Sequence, residues 1–391
     1  MTFDVSIGPV AERLIKAAHD LKPLIVGMQD VIDRERRLPP ALVDRLHELG
    51  FFSLWLGRPF GGPELSLGEF ASVVEAVAQV NGSVAWCVTN GAACSWLSGF
   101  LPVGVARQVF VEQRAVLAGN LGAIGRAEMV PGGYNVTGRW AYGSGIQHSS
   151  WTVAGCTIFE NDMPCPGADG AFEVRIMLIP TSSVEIIDTW EVSGLCGTGS
   201  HDYRVADLFV PASHTMGFND PSLPGPLYAV PRHTALAVTI AAVPLGIARA
   251  ALDELRELSA GRTPRIGTTV VRNRPVFQAA FGQAEAKLRA ARVFLLQTAD
   301  DAWSTTVFGK PSTPEQKALV RLACAHAAET AKAVVQFAYE AGGGTSIYKS
   351  SPLQRCFQDV HTAAQHVQVQ SVNFETGGRV MLGLEPGTPV L

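Results

Sequence analysis

Pro131-Gly132-Gly133-Tyr134-Asn135-Val136-Thr137-Gly138-Arg139-Trp140-Ala141-Tyr142 is the stretch on which the reading of the fold turns. A Pro-Gly-Gly turn opens it. From Tyr134 to Tyr142 the residues then alternate with the two-residue period of a strand that buries one face. Short runs rich in Val, Ile, Thr and aromatics continue the series at Trp151–Phe159, Glu173–Pro180, Val184–Asp188 and Tyr203–Val210. Together they predict a strand-rich region over 115–226.

On either side the period changes to that of a helix. Upstream, Val10, Leu14, Ala17, Leu21 and Leu24 recur at helical spacing through Asp30. Pro39 and Pro40 precede Ala41–Leu49, with Gly50 as a stop. Ser66 and Glu69 predict a capping box at the head of Ser66–Val80, and Ser83–Phe100 is longer and more apolar. Downstream, Thr234–Leu258, Val276–Trp303 and Pro314–Tyr339 are long enough to pair as antiparallel helices. Helices, then strands, then helices means segregated elements, so an α+β chain divided as 1–114, 115–226 and 227–391.

Composition narrows the function classes. The 391 residues are 47% hydrophobic and 17% charged, with a net charge of −4 and no concentrated run of Lys and Arg. That excludes a phosphate-backbone partner; Arg34, Arg36 and Arg37 are interleaved with Asp33 and Glu35 on a solvated face. Met1–Val10 lacks the basic-then-apolar order of a secretory signal. Thr234–Ala248 and Gly91–Ala106 are weakly polar but interrupted by Pro244 and Pro102, short of the roughly 20 residues of a membrane span. A soluble, cytoplasmic protein is expected. Seven cysteines without CxxC spacing suit reduced thiols and neither a metal site nor a disulfide frame. Cys324 and His326, two apart on a helix, point to different faces. No GxGxxG follows a strand, and GxxxxGK[ST], HExxH and GxSxG are absent.

Three local features remain, each with two readings. His361 and His366 are either pocket histidines able to exchange protons near neutrality or helix-face histidines. Gly342-Gly343-Gly344 either lets backbone amides approach a phosphate or caps a helix. The loop Gly194–Asp202 either carries ligand contacts or is a surface turn.

The order of regions resembles the acyl-CoA dehydrogenase family over nearly the whole chain. The resemblance implies an N-terminal helical domain, a central β-barrel-like domain, a C-terminal four-helix bundle and a homotetramer. It is sharper toward the monooxygenase branch of that fold, which includes the oxygenase components of hydroxyphenylacetate hydroxylase, dibenzothiophene monooxygenase and indole-acetate monooxygenase-like proteins. Three segments carry it: Gly138–Gly145 running on to Trp151; Gly197–Asp202 with Val210-Pro211; and Gly342-Gly343-Gly344, Ser351–Arg355, Asp359 and Ala364-Gln365-His366.

A dehydrogenase of that family needs a glutamate base in one of two positions. By the same resemblance those positions fall on Val367 and Leu236, and neither side chain takes a proton. The resemblance therefore implies a reduced-flavin-dependent monooxygenase that hydroxylates an aromatic or polycyclic substrate through a flavin C4a-hydroperoxide. Reduced FMN, or FADH2, would come from a separate NAD(P)H:flavin reductase, with O2 as co-substrate.

The same resemblance assigns roles. Ser144 faces flavin N5, and His366 reaches the substrate to deprotonate a phenol or orient the oxygen. Asn120, on the first barrel strand, contacts the flavin edge or the peroxide. Tyr142 stacks near the ring, with core packing as its competing role, and Thr198 and Ser200 line the pocket. Arg274 and Gln278 bind flavin phosphates, sometimes across a subunit boundary. One departure stands out: where branch members carry a second histidine near the flavin, this chain has Cys94, a poor proton carrier at neutral pH. It points away from a simple phenol and toward a polycyclic aromatic, an indole or an amine. The alternatives are an acyl-CoA oxidase with another base, an amine N-oxygenase and a non-catalytic binding protein.

Overall fold

The computed structural model describes residues 7–167, 170–218, 221–263 and 268–388; the reading of 1–6 as free of a signal falls outside them. Helices come first: α1 (Pro9–Asp20), α2 (Lys22–Gly27), α3 (Gln29–Glu35), α4 (Pro40–Leu49), α5 (Leu67–Ala78), α6 (Gly82–Ser95) and α7 (Val103–Ala106). The stretch expected as one helix over Val10–Asp30 is broken at Leu21 and Met28, so its apolar stripe turns around the core. The capping box is present: the Ser66 hydroxyl accepts from the Glu69 amide at 3.2 Å, and the Glu69 carboxylate accepts from the Ser66 amide at 2.9 Å. Helix α6 is capped by Asn81, whose Oδ1 accepts from the Val84 amide, and it is buried along almost its whole length.

The strands are β1 (Leu117–Val130), β2 (Gly133–Gly143), β3 (Trp151–Glu160), β4 (Met163–Pro164), β5 (Val174–Pro180), β6 (Glu185–Ile187), β7 (His201–Pro211) and β8 (Thr215–Met216). They form one mixed sheet in the order β6-β7-β2-β1-β3-β5-β8, with β4 paired to β3. Only β1 and β3 run parallel; the other pairs are antiparallel. Strand β1 has 14 residues and shows no clean alternation because its register shifts between Asn120 and Gly125. Next to that shift the fully buried Trp140 stacks on Tyr203 with ring centroids 5.3 Å apart. A Cβ at Gly125 would sit 2.1 Å from the Trp140 ring, so only glycine admits the indole.

Helices resume with α8 (Pro226–Ala229), α9 (Arg232–Gly261), α10 (Pro275–Val307), α11 (Pro314–Gly342), α12 (Pro352–Ala363) and α13 (Val372–Met381). Pro244 was expected to interrupt the apolar run. It lies inside α9 instead, where packing against α5 and α11 makes up for the one backbone hydrogen bond that proline removes. Helix α9, with 30 residues, is long and apolar enough to cross a membrane, yet 83% of its most apolar window is buried in the fold. The buried Glu75 carboxylate accepts from the Nε of the half-exposed Arg292 at 2.8 and 2.9 Å and ties α5 to α10.

Candidate active site

The site is built where β2 runs out. Tyr142 takes a left-handed conformation (φ 65°), the Ser144 amide reaches back to its carbonyl at 2.8 Å, and β2 slips register against β7 between Trp140 and Gly143. That turn drives Ser144 inward, leaving it 7% exposed. The loop before β7 meets it there, with the Gly145 amide donating to the Thr198 carbonyl at 2.8 Å.

Four polar groups then form a chain with one direction. Trp86 Nε1, which can only donate, lies 3.0 Å from Ser144 Oγ. Ser144 Oγ is 2.7 Å from Ser200 Oγ, which is 2.7 Å from Thr198 Oγ1. Thr198 Oγ1 donates to the Leu195 carbonyl at 2.9 Å. Since a carbonyl only accepts, the protons line up from Trp86 through Ser144, Ser200 and Thr198 to Leu195. Every donor is spent, and Ser144 keeps one unused lone pair. It offers an acceptor.

The loop is pinned from below. The Leu195 amide donates to Asp359 Oδ1 at 2.6 Å, and the Gly197 amide to Ser83 Oγ at 3.2 Å. Burial pushes the Asp359 carboxyl up to about 7, opposed by its hydrogen bond to the Leu195 amide.

On the far side of the Trp86 indole stands His366, its ring 5.7 Å away at 70°. Its Nδ1 accepts from the Gln368 amide at 3.3 Å, so the ring proton is on Nε2. Burial brings its pKa down to about 4. The imidazole is therefore neutral and presents an N–H donor. The expectation that it deprotonates a phenol does not fit, because its basic nitrogen is already engaged; an orienting donor does fit. Trp86, Asn90 and Cys94 follow at i, i+4 and i+8 along one face of α6. Burial raises the Cys94 thiol to about 12, so it is neutral.

The other expected residues fall differently. Asn120 spends its Oδ1 on the Gly122 amide at 2.8 Å and an Nδ2 proton on the Ala141 carbonyl at 3.1 Å. It braces the β1 bulge against β2 and retains one free N–H. Tyr142 is 67% exposed and meets Trp190 edge-on, which removes the core-packing reading. Arg274 and Gln278 are exposed at the head of α10; Gln278 bonds to the Arg272 carbonyl, and neither touches the Ser144 cluster. His361 packs against Phe357, with ring centroids 4.6 Å apart, as a helix-face histidine. Gly343 caps α11, and the carbonyls of Ala341 and Gly342 accept from the Arg262 guanidinium. Cys324 is buried, and His326 instead lies beside Phe294. Among the described residues no cluster of His, Cys, Asp or Glu could hold a metal. Trp86 and Gln368 were missed, because a tryptophan or glutamine in an apolar helix or turn reads as packing until its partners are known.

Family models described as acyl-CoA dehydrogenase N-terminal and C-terminal domains match residues 19–100 and 238–371. An indole-3-acetate monooxygenase of Pseudomonas putida is 31% identical over 97% of this chain and 95% of its own length. The chain belongs to the flavin-dependent monooxygenases of the acyl-CoA dehydrogenase fold. Among these monooxygenases, the oxygenase subunit HsaA of Mycobacterium tuberculosis is 28% identical over 96% of this chain and 97% of its own. The structure of XiaF from Streptomyces, solved with FADH2 and glycerol, superposes with a TM-score of 0.90 at 26% identity, covering 98% of both chains.

The site residues suit a flavin of this family in its reduced form. Reduced flavin carries a proton on N5, and the spare lone pair of Ser144 Oγ is an acceptor for it. Val367 is exposed and Leu236 half-buried at the two positions the resemblance marks for a dehydrogenase base. Neither supplies a carboxylate.

Proposed function

We propose that the chain is the oxygenase component of a two-component system, taking reduced flavin from a separate NAD(P)H:flavin reductase and hydroxylating a fused-ring aromatic such as an indole. When bound, the reduced flavin supplies the electrons that split O2, one oxygen atom entering the substrate and the other leaving as water. Ser144 would accept a hydrogen bond from flavin N5–H and so hold that proton on N5, while the relay behind it keeps the hydroxyl from rotating. Tyr142 covers the exposed flavin edge, and the free N–H of Asn120 reaches the same edge. His366, as a neutral Nε2–H donor, orients oxygen or substrate. Trp86, Asn90 and Cys94 line the substrate side, and the neutral thiol leaves proton handling to solvent. Arg274 and Gln278 hold flavin phosphate from a neighbouring subunit of a homotetramer. The division at 114 and 226, the cytoplasmic location and the choice between FMN and FAD belong to the same proposal.

The observation that carries the reading is the one-way hydroxyl chain ending in an unspent Ser144 lone pair. The test mixes anaerobic protein and reduced FMN, or reduced FAD, with aerated buffer and follows hydrogen peroxide. Peroxide released more slowly than from free reduced flavin, with the free rate regained in Ser144→Ala, supports the proposal. Release at the free-flavin rate from the wild-type protein overturns it.

A further inference from the structure

Gln368, only 7% exposed, is held from one side by Arg321, whose Nη1 lies 2.5 Å from its Oε1. A guanidinium can only donate, so the amide orientation is fixed and Nε2 points the other way. There it meets His233 Nδ1 at 3.3 Å. His233 Nδ1 therefore accepts, and its proton sits on Nε2. That nitrogen faces Arg232 Nη2 at 3.4 Å. Two N–H donors thus point at one another with no acceptor between them.

The Arg232 guanidinium lies over the Phe218 ring, 4.4 Å from its centroid, and no carboxylate among the described residues pairs with it. Burial lowers the pKa of the Arg232 guanidinium, which stays charged, and burial first, then the charges of Arg232 and Arg321, lower that of His233 to about 4 and keep it neutral. Both residues open α9, whose first amides add positive potential at the same end. Phe218 stacks on Trp96 with centroids 5.6 Å apart, two residues beyond Cys94 on the α6 side. Gln368 joins the pair to the site: its side chain touches His233 and its amide holds His366.

We propose that Arg232 and the Nε2–H of His233 together bind a carboxylate carried by the aromatic substrate, which deepens the monooxygenase reading and rests on it. A carboxylate has two acceptor oxygens in one plane and can take both donors at once. The ring system would then lie toward Trp86 and His366, with its acidic arm at the head of α9.

The test titrates the anaerobic full-length protein calorimetrically with indole-3-acetate and with 3-methylindole, which keeps the ring and lacks the carboxylate. Each titration is run with and without reduced FMN. The acid is expected to bind at least about tenfold more tightly, the range of hydrogen bonds to a charged group. Arg232→Met should erase the difference and Arg232→Lys restore part of it. In both variants the affinity for reduced FMN should stay at the wild-type value, which also reports that they fold. Equal affinity for the two probes, no binding of the acid, or a preference that survives Arg232→Met overturns the proposal. So does an Arg232→Met protein that loses reduced FMN while still preferring the acid, for then the anion is the cofactor phosphate. Preference for the acid without any effect of the protein on peroxide release would sink the oxygenase reading and leave the carboxylate site standing.

Discussion

Two polar clusters meet at the Trp86 indole and differ in how their donors are used. On one side, Trp86, Ser144, Ser200 and Thr198 spend every proton in a single direction and end on a carbonyl. On the other, His366, His233 and Arg232 hold donors with no acceptor. Those three side chains are half-buried, so their donors stay open to water in the free protein and to an acceptor carried by a ligand. The first is a finished template with one acceptor to offer. The second still has donors to offer.

The sharpest way to break that contrast is Ser144→Ala. It strands the Trp86 N–H and removes the acceptor facing the flavin, so two buried groups lose their partner at once. Product formed per O2 consumed should fall by about tenfold to a hundredfold, from a loss of about 1–3 kcal/mol. Oxygen-electrode and peroxide assays run side by side would show it. If coupling is unchanged, the relay is packing and nothing more.

His366 comes next. Its pKa near 4 leaves it neutral throughout the neutral range, so kcat/KM should show no inflection near the ordinary histidine value of about 6.5. His366→Gln keeps a side-chain N–H and should retain activity within roughly tenfold, whereas His366→Ala should lose more. An inflection near 6.5 that disappears in His366→Gln would mean the ring works as a base, and the contrast between the clusters would have to be redrawn.

What the sequence disclosed follows from which interactions are local. The Ser66–Glu69 box, the turn at Pro131 and the three long helices are written in neighbouring residues and were legible there. Strand β1 was not, because the Asn120–Gly125 register shift destroys its alternation. Ser144, Thr198, Ser200 and His366 were reached through motif resemblance. Their partners were hidden: Trp86 lies 58 residues from Ser144 and Gln368 lies 135 from His233, and no period connects such pairs. The direction of the hydroxyl chain and the tautomers of both histidines exist only once those distances close.

The support beneath the relay gives a smaller, pH-dependent effect. Asp359 has a folded pKa of about 7 against an ordinary 3.8, so its contribution to stability is full below 3.8 and is lost as pH rises through 7. His366 and His233 are shifted the opposite way, and their contributions are lost only as pH falls below about 6.5. Between about pH 6.5 and about pH 8.5 the Asp359 contribution falls by about 0.8 kcal/mol, while the two histidines regain about 0.4 kcal/mol each as their unfolded forms lose protons, so the wild type should stay nearly level there. Asp359→Asn keeps an oxygen for the Leu195 amide and removes the charge. The urea midpoint of the variant should rise across that interval while that of the wild type stays nearly level, and parallel curves would mean that Asp359 stays ionised throughout.

Tyr142 offers the finest adjustment, since it belongs to neither cluster yet sets the turn that delivers Ser144. A left-handed φ of 65° at a tyrosine costs about 1–2 kcal/mol relative to glycine, and its exposed ring recovers little from the fold. Tyr142→Gly should therefore raise the melting temperature of the free protein relative to Tyr142→Ala, which keeps the strain without the ring. If the ring covers the flavin edge, both variants should weaken reduced FMN binding to the same extent despite their different stabilities. If only the alanine variant binds poorly, the strain rather than the ring controls the site, and the turn itself becomes the part that places Ser144.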